Sequence, residues 1–302
     1  MIIAREAWKD GAAQLTAAGI ESARLDARVL LAHAMGVSSD SLFSQRIVAA
    51  GEEAAFRKLL NRRMAREPVA YLTGMREFWS LSFEVGPGVL IPRPETETLL
   101  EEAQRHFANR DAPRAVLDLG TGSGCLLIAA LHLFPHALGS GIDRSQKALA
   151  WAQKNAARLG VVARSSWHAG DWSSVTDRYD LVLANPPYLR QSDLVGLAPE
   201  ISRHEPTDAL FAGEDGLDAY RALIPLLGRV LAPDGRAFLE IGQNQADSVR
   251  SVVEAAGLEF LGLAPDLAGV PRCMAVGIAS TDSGVNSRAE AEKTVGNLRS
   301  SR

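Results

Sequence analysis

Apolar residues recur at helical spacing through the first 70 positions. Ala7, Trp8, Gly11, Leu15 and Ala18 stand three or four apart, and Gly19 closes the run. Residues 21–36 predict a second helix with Leu25, Val29 and Ala32 on one face and a closing glycine. Residues 52–66 predict a third, with Phe56, Leu59, Leu60 and Met64 apolar and Pro68 as its stop. These runs predict a small helical bundle with no chemistry of its own.

The pattern then changes. Phe78, Trp79, Leu81, Phe83 and Val85 favour strand, and Gly86-Pro87-Gly88 signals a turn, so a hairpin is the simplest reading. Pro92 and Pro94 stiffen the chain beyond it, and Pro94, Glu95 and Glu97 suit the first turn of a helix reaching about His106. Short apolar runs predict strands at 115–119, 138–143, 166–172 and 179–184, with helices at 125–133 and 145–159 between them. A helix over 216–232 follows, which Pro225 should kink or break. Pro233-Asp234-Gly235 is a turn, and a fifth strand spans 236–242. A helix over 244–256 and a strand pair at 260–263 and 273–278 end the pattern. Residues 280–302 are polar and predict a disordered tail. Strands alternating with helices imply an α/β fold with a mostly parallel sheet.

Composition narrows the class. The 302 residues are 47% hydrophobic and 23% charged, as expected of a globular chain. A net charge of −4 argues mildly against gripping long stretches of nucleic acid. Cys125 and Cys273 lack the spacing of a zinc site or a disulfide framework, so no metal and a reducing cytoplasm are expected. No signal peptide is visible, and no run of 18 uncharged apolar residues predicts a membrane span.

The candidate chemistry sits at strand ends. Asp118-Leu119-Gly120-Thr121-Gly122-Ser123-Gly124 turns from a strand into a helix, where glycines admit close backbone approach and the helix start offers N–H groups. Its spacing is not that of the dinucleotide fingerprint. Asp143 ends the next strand and suits a ribose; Asp171 and Trp172, at the tip of the third, suit the edge and face of adenine. Apolar Leu181 to Ala184 run into Asn185-Pro186-Pro187-Tyr188. Prolines end the ladder there and stiffen the loop. Asn185 and the Pro186 carbonyl can accept the two hydrogens of a planar NH2 group, with Tyr188 packed on its plane. A plain surface turn is the competing reading of that tetrapeptide. Arg93 and Glu95 read equally as part of a proline-rich linker or as groups held beside a site.

The combination of DLGTGSG at 118–124, Asp143 and NPPY at 185–188 resembles class I S-adenosylmethionine-dependent methyltransferases. EPVAYLTGMREFWSLSFEV at 67–85, LIPRPETE at 90–97 and HEPTDALFAGEDGLDAYR at 204–221 narrow this. Across residues 1–279 the chain resembles the bacterial peptide chain release factor glutamine N5-methyltransferases. The resemblance implies a Rossmann-like fold with a seven-stranded sheet. It implies a helical substrate-binding domain over 1–70, a hairpin linker over 71–94 and a methyltransferase domain over 95–279. S-adenosylmethionine would lie on Gly120, Thr121, Gly122, Ser123 and Gly124, with Asp143 at its ribose, Asp171 and Trp172 at its adenine, and Asn185 nearby. Asn185, Pro186, Pro187 and Tyr188 would hold the glutamine amide of a Gly-Gly-Gln loop in a class 1 release factor, with Arg93 and Glu95 beside it. A glutamine methyltransferase for a ribosomal protein and an N6-adenine methyltransferase are the alternatives. The unbroken IPRPETE at 91–97 favours the first reading over the former. The lack of a target-recognition region speaks against the latter.

Overall fold

The computed structural model describes residues 2–43 and 47–279. The expected disorder of 280–302 lies outside the described residues. The chain opens with strand β1 (Ile2–Ile3) and helices α1 (Ala4–Ala17) and α2 (Ala23–Ala34). Strand β2 (Ile47–Val48) pairs with β1, and helices α3 (Ala50–Met64) and α4 (Val69–Thr73) complete the bundle. Its core is Leu15, Leu30, Leu31, Phe56 and Leu60, each at most 3% exposed.

The expected inner face of α2 is displaced. Leu25 is 62% exposed, whereas Asp26 is buried beside Ala27, Leu30 and Leu31. The cause is electrostatic. Asp26 Oδ2 accepts from Arg63 Nε of α3 at 2.7 Å and from the Ser22 hydroxyl at 2.8 Å, so a carboxylate occupies an inward position. A buried charge is tolerated when paired and hydrogen-bonded.

Strands β3 (Met75–Phe78) and β4 (Leu81–Glu84) form the expected hairpin, but it turns at Trp79-Ser80, not at Gly86-Pro87-Gly88. Both turn residues have positive φ, 53° and 59°, as a two-residue turn matched to strand twist requires. Neither is glycine. Carboxylates hold the turn: Glu97 Oε1 accepts from Trp79 N and Glu77 Oε1 from Ser80 N.

The remaining elements are α5 (Glu97–Phe107), β5 (Ala115–Leu119), α6 (Cys125–Leu133), β6 (Leu138–Asp143), α7 (Gln146–Arg158), β7 (Ser165–Ala169), β8 (Tyr179–Ala184), α8 (Pro199–His204), α9 (Asp218–Val230), β9 (Leu231–Glu240), α10 (Ala246–Ala255), β10 (Leu258–Pro265) and β11 (Pro271–Ile278). Helix α9 continues through Pro225. That residue is exposed, so water can meet the carbonyl its missing N–H leaves free. Strand β7 stops at Ala169, short of Asp171 and Trp172.

Seven strands form one sheet in the order β7-β6-β5-β8-β9-β11-β10. All neighbours from β7 to β9 are parallel; β11 runs antiparallel to both β9 and β10. Alternate residues of the central strands enter different cores. Leu117, Leu119 and Val182 pack with Tyr220, Leu223 and Val253 from α9 and α10. Val116, Leu181 and Leu183 pack with Leu99, Leu100 and Leu127 from α5 and α6. Burial on both faces explains why these strands read as unbroken apolar runs. Chain order reverses between β5 and β8, whose ends meet at Leu119 and Ala184. An open α/β sheet forms its ligand crevice at such a point. No helix among the described residues is long and apolar enough to cross a membrane.

Candidate active site

The crevice is a cleft of about 1030 Å³ open to solvent. Gly120, Thr121, Gly122, Ser123, Asp143, Trp172, Asn185, Pro187 and Arg93 all line it. The structure thus gathers residues from five separate segments of the sequence.

The turn after β5 is built for close approach. Gly120, Gly122 and Gly124 have φ of 80°, 55° and 79°. Gly124 is not on the wall; it is the residue just before α6, and a Cβ there would meet Trp167 Cη2 at 2.9 Å. Asp143 pins the turn: its Oδ2 accepts from Gly122 N and its Oδ1 from Ser145 N, at 2.9 and 2.8 Å. Each oxygen keeps a further lone pair for a ligand. Asp118 lies under the turn, 1% exposed, with Oδ2 accepting from the Thr121 hydroxyl and Oδ1 without a partner. Burial pushes its carboxyl up to about 7, against the Thr121 hydrogen bond. On the wall itself, an acid at a strand tip and a half-buried indole have the chemistry to fit the ribose and base of a nucleoside.

Asp171 and Glu95 are not on the cleft wall, although their neighbours Trp172 and Thr96 are. Asp171 is exposed, and its Oδ1 accepts from Ser173 N to cap a single turn of 3-10 helix. Glu95 is exposed in the turn before α5. Arg93 is on the wall, but its Nη2 donates to Glu205 Oε1 at 2.6 Å. Glu205 is 5% exposed and also accepts from Ile91 N. This pair fastens the segment carrying Pro206, Asp208 and Ala209 onto the cleft wall. Glu200 of α8 is tied in turn to Arg63 and Arg66 of the helical bundle.

The loop after β8 is held from behind. Pro186 is buried and absent from the wall. The Tyr188 ring packs toward the core, and its hydroxyl meets Glu240 Oε1 at 3.1 Å. Thr96 Oγ1 donates to Glu240 Oε2 at 2.5 Å, and Asn185 Nδ2 donates to Thr96 Oγ1 at 3.1 Å. Gln245 Nε2 donates to the carbonyls of Tyr188 and Gly216. Sequence reasoning missed Thr96, Glu205, Glu240 and Gln245. Glu240 carried a signal: an acid ending the apolar run Ala237-Phe238-Leu239 at the crevice end of a central strand.

Residues 6–74 match the PrmC N-terminal domain, and residues 95–201 match the methyltransferase small domain. The chain is 42% identical over 271 residues to a release factor glutamine methyltransferase from Bradyrhizobium diazoefficiens, covering 87% of this chain and 91% of that one. It is 44% identical over 273 residues to the protein so named from Cereibacter sphaeroides, covering 89% and 96%. Among solved structures, the hMettl16 catalytic domain in complex with MAT2A 3'UTR hairpin 1 shares the fold, with a TM-score of 0.53 and 13% identity over 69% of this chain and 78% of that one.

Proposed function

The chain belongs to the release factor glutamine methyltransferase family and methylates release factor glutamine, and from this premise we propose that its target is the glutamine of the Gly-Gly-Gln loop of class 1 release factors. The donor in this reading is S-adenosylmethionine, held by Gly120 to Gly124, Asp143 and Trp172. Residues 1–70 would grip the release factor, 71–94 link, and 95–279 carry the transfer.

One observation carries the reading: the glycine turn after β5 and Asn185 after β8 face the same cleft across the switch point. When bound, the donor supplies an electrophilic methyl group on a sulfonium. An amide nitrogen is a poor nucleophile, because its lone pair is delocalised into the carbonyl. Nothing named on the cleft wall is basic enough to deprotonate it outright. What the residues can do is orient. Asn185 Oδ1 would accept an N–H hydrogen and aim the nitrogen into the cleft; the buried Pro186 would have to turn its carbonyl toward the cleft to accept the second. Holding two reactants in line supplies roughly 7 kcal/mol or more of a barrier. The proton leaves after transfer, once the nitrogen has become acidic.

Mass spectrometry of a release factor incubated with the protein and S-adenosylmethionine tests this, beside a Gln→Ala control in its Gly-Gly-Gln loop. A single methyl gain that vanishes in the control is expected. A gain that persists in the control places the target elsewhere.

A further inference from the structure

Once Glu240 is ionised, the hydrogen bonds behind Asn185 can run in only one direction. Glu240 is 1% exposed and meets two hydroxyls, Thr96 at 2.5 Å and Tyr188 at 3.1 Å. An ionised carboxylate only accepts, so each hydroxyl must donate its single proton to it. Thr96, 2% exposed, then has no proton left for Asn185 and can only accept from it. The Asn185 amide must therefore turn its Nδ2 inward and its Oδ1 toward the cleft. The partners lie 144 and 89 residues apart in sequence, on β9, on the turn before α5 and on the loop after β8, so three elements share in fixing one amide.

We propose that Thr96 and Glu240 are the positioning residues that make this a site for glutamine and against glutamate. This deepens the function proposed above and rests on it. A substrate carboxamide brings hydrogens to the outward Asn185 oxygen. A carboxylate brings none, and the acceptor facing it repels its charge. Were the Asn185 amide free to rotate, its NH2 would face outward half the time and welcome the acid. Discrimination between two side chains of nearly equal shape thus depends on the polarity of a buried chain, not on steric fit. Sites that leave a buried polar group unpaired against the wrong substrate discriminate strongly.

The experiment uses a release factor in two forms, with Gln or Glu at the target position. Equilibrium binding of both forms and kcat on the Gln form are measured for the wild type, Thr96→Val, Thr96→Ser and Glu240→Gln. The wild type should bind the Gln form at least 10-fold more tightly than the Glu form. Thr96→Val should bring that ratio toward unity and lower kcat about 10-fold or more, with donor affinity unchanged. Glu240→Gln should also narrow the ratio, because its amide can donate to Thr96 and reverse the chain. Thr96→Ser keeps the hydroxyl and should behave as wild type, a rescue that a purely structural role for Thr96 would not predict. A Thr96→Val protein that retains the full ratio overturns the proposal, as does a Thr96→Ser protein that loses as much as Thr96→Val. Absence of methyl transfer by the wild type would instead count against the target, while the binding ratio would still report on the relay.

Discussion

Glu240 makes both stability and catalysis depend on pH. Burial pushes its carboxyl from 4.5 up to about 7, against the Thr96 hydrogen bond and the Arg272 charge. The titratable and charged groups whose electrostatic influence reaches it are Arg272 and Cys273 from β11, Tyr188 after β8, Tyr220 from α9, Cys125 at the start of α6, and Glu95 before α5. The sign follows from the raised value. Between pH 4.5 and about 7 the folded protein keeps a proton that the unfolded chain has released. The stability owed to that proton is complete below pH 4.5 and is lost as pH rises through about 7. At about 1.4 kcal/mol per pH unit the loss is about 3 kcal/mol. Glu240→Gln has no such proton to lose. Asp118 shifts in the same direction, up to about 7, but is present in both proteins and cancels in the difference. Chemical denaturation of wild type and Glu240→Gln from pH 4.5 to 8.5 should show the variant gaining up to about 3 kcal/mol on the wild type as pH rises. Over the same range wild-type kcat should climb through about pH 7, as ionisation gives the Thr96–Asn185 chain its direction. Stability curves that stay parallel across the range would refute the reasoning, because Glu240 would then not titrate differently on folding.

Four further substitutions test other parts of the structure. Asn185→Ala should leave donor binding within about 3-fold and lower turnover roughly 100-fold or more, since it removes an orienting acceptor; titration calorimetry and single-turnover rates separate the two effects. Trp172→Ala should weaken donor binding about 10-fold through loss of one aromatic face on the cleft wall, read by the same calorimetry. Arg63→Ala leaves Asp26 and Glu200, whose side chains are only 8% and 18% exposed, without their shared partner. A loss of about 3 kcal/mol is expected, measured by denaturant unfolding. At Gly216 φ is 76°, and a Cβ would stand 2.4 Å from the Tyr188 carbonyl oxygen. Gly216→Ala should therefore lower the melting temperature and also kcat, because the loop after β8 must shift.

Which parts of this structure were legible in the sequence depended on how far apart the cooperating residues stand. The strands of the central sheet were legible because burial on both faces leaves an apolar run that needs no partner to be recognised. The glycine turn and Asn185-Pro186-Pro187-Tyr188 were legible for a similar reason: each is continuous, and glycine and proline state their backbone demands directly. The errors fall where a polar residue does what an apolar one or a glycine usually does. Hydropathy spacing treats Asp26 as solvated, so α2 was turned toward Leu25; only the ion pair with Arg63, 37 residues away, moves the acid inward. Trp79 and Ser80 adopt positive φ without glycine, because the carboxylates of Glu77 and Glu97 hold their N–H groups. The Asn185–Thr96–Glu240 chain is the extreme case. Its members have no common period and no local motif, and each has an ordinary reading alone: a turn amide, a helix-start threonine, a strand-end acid. Their chemistry is defined by which atom donates to which. That direction exists only once β8, β9 and the turn before α5 are brought to one point, and the one-way acceptor at its end sets it for all three. The residues that touch substrate in such a site can be read from local sequence, while the residues that decide which substrate is accepted belong to the assembled sheet.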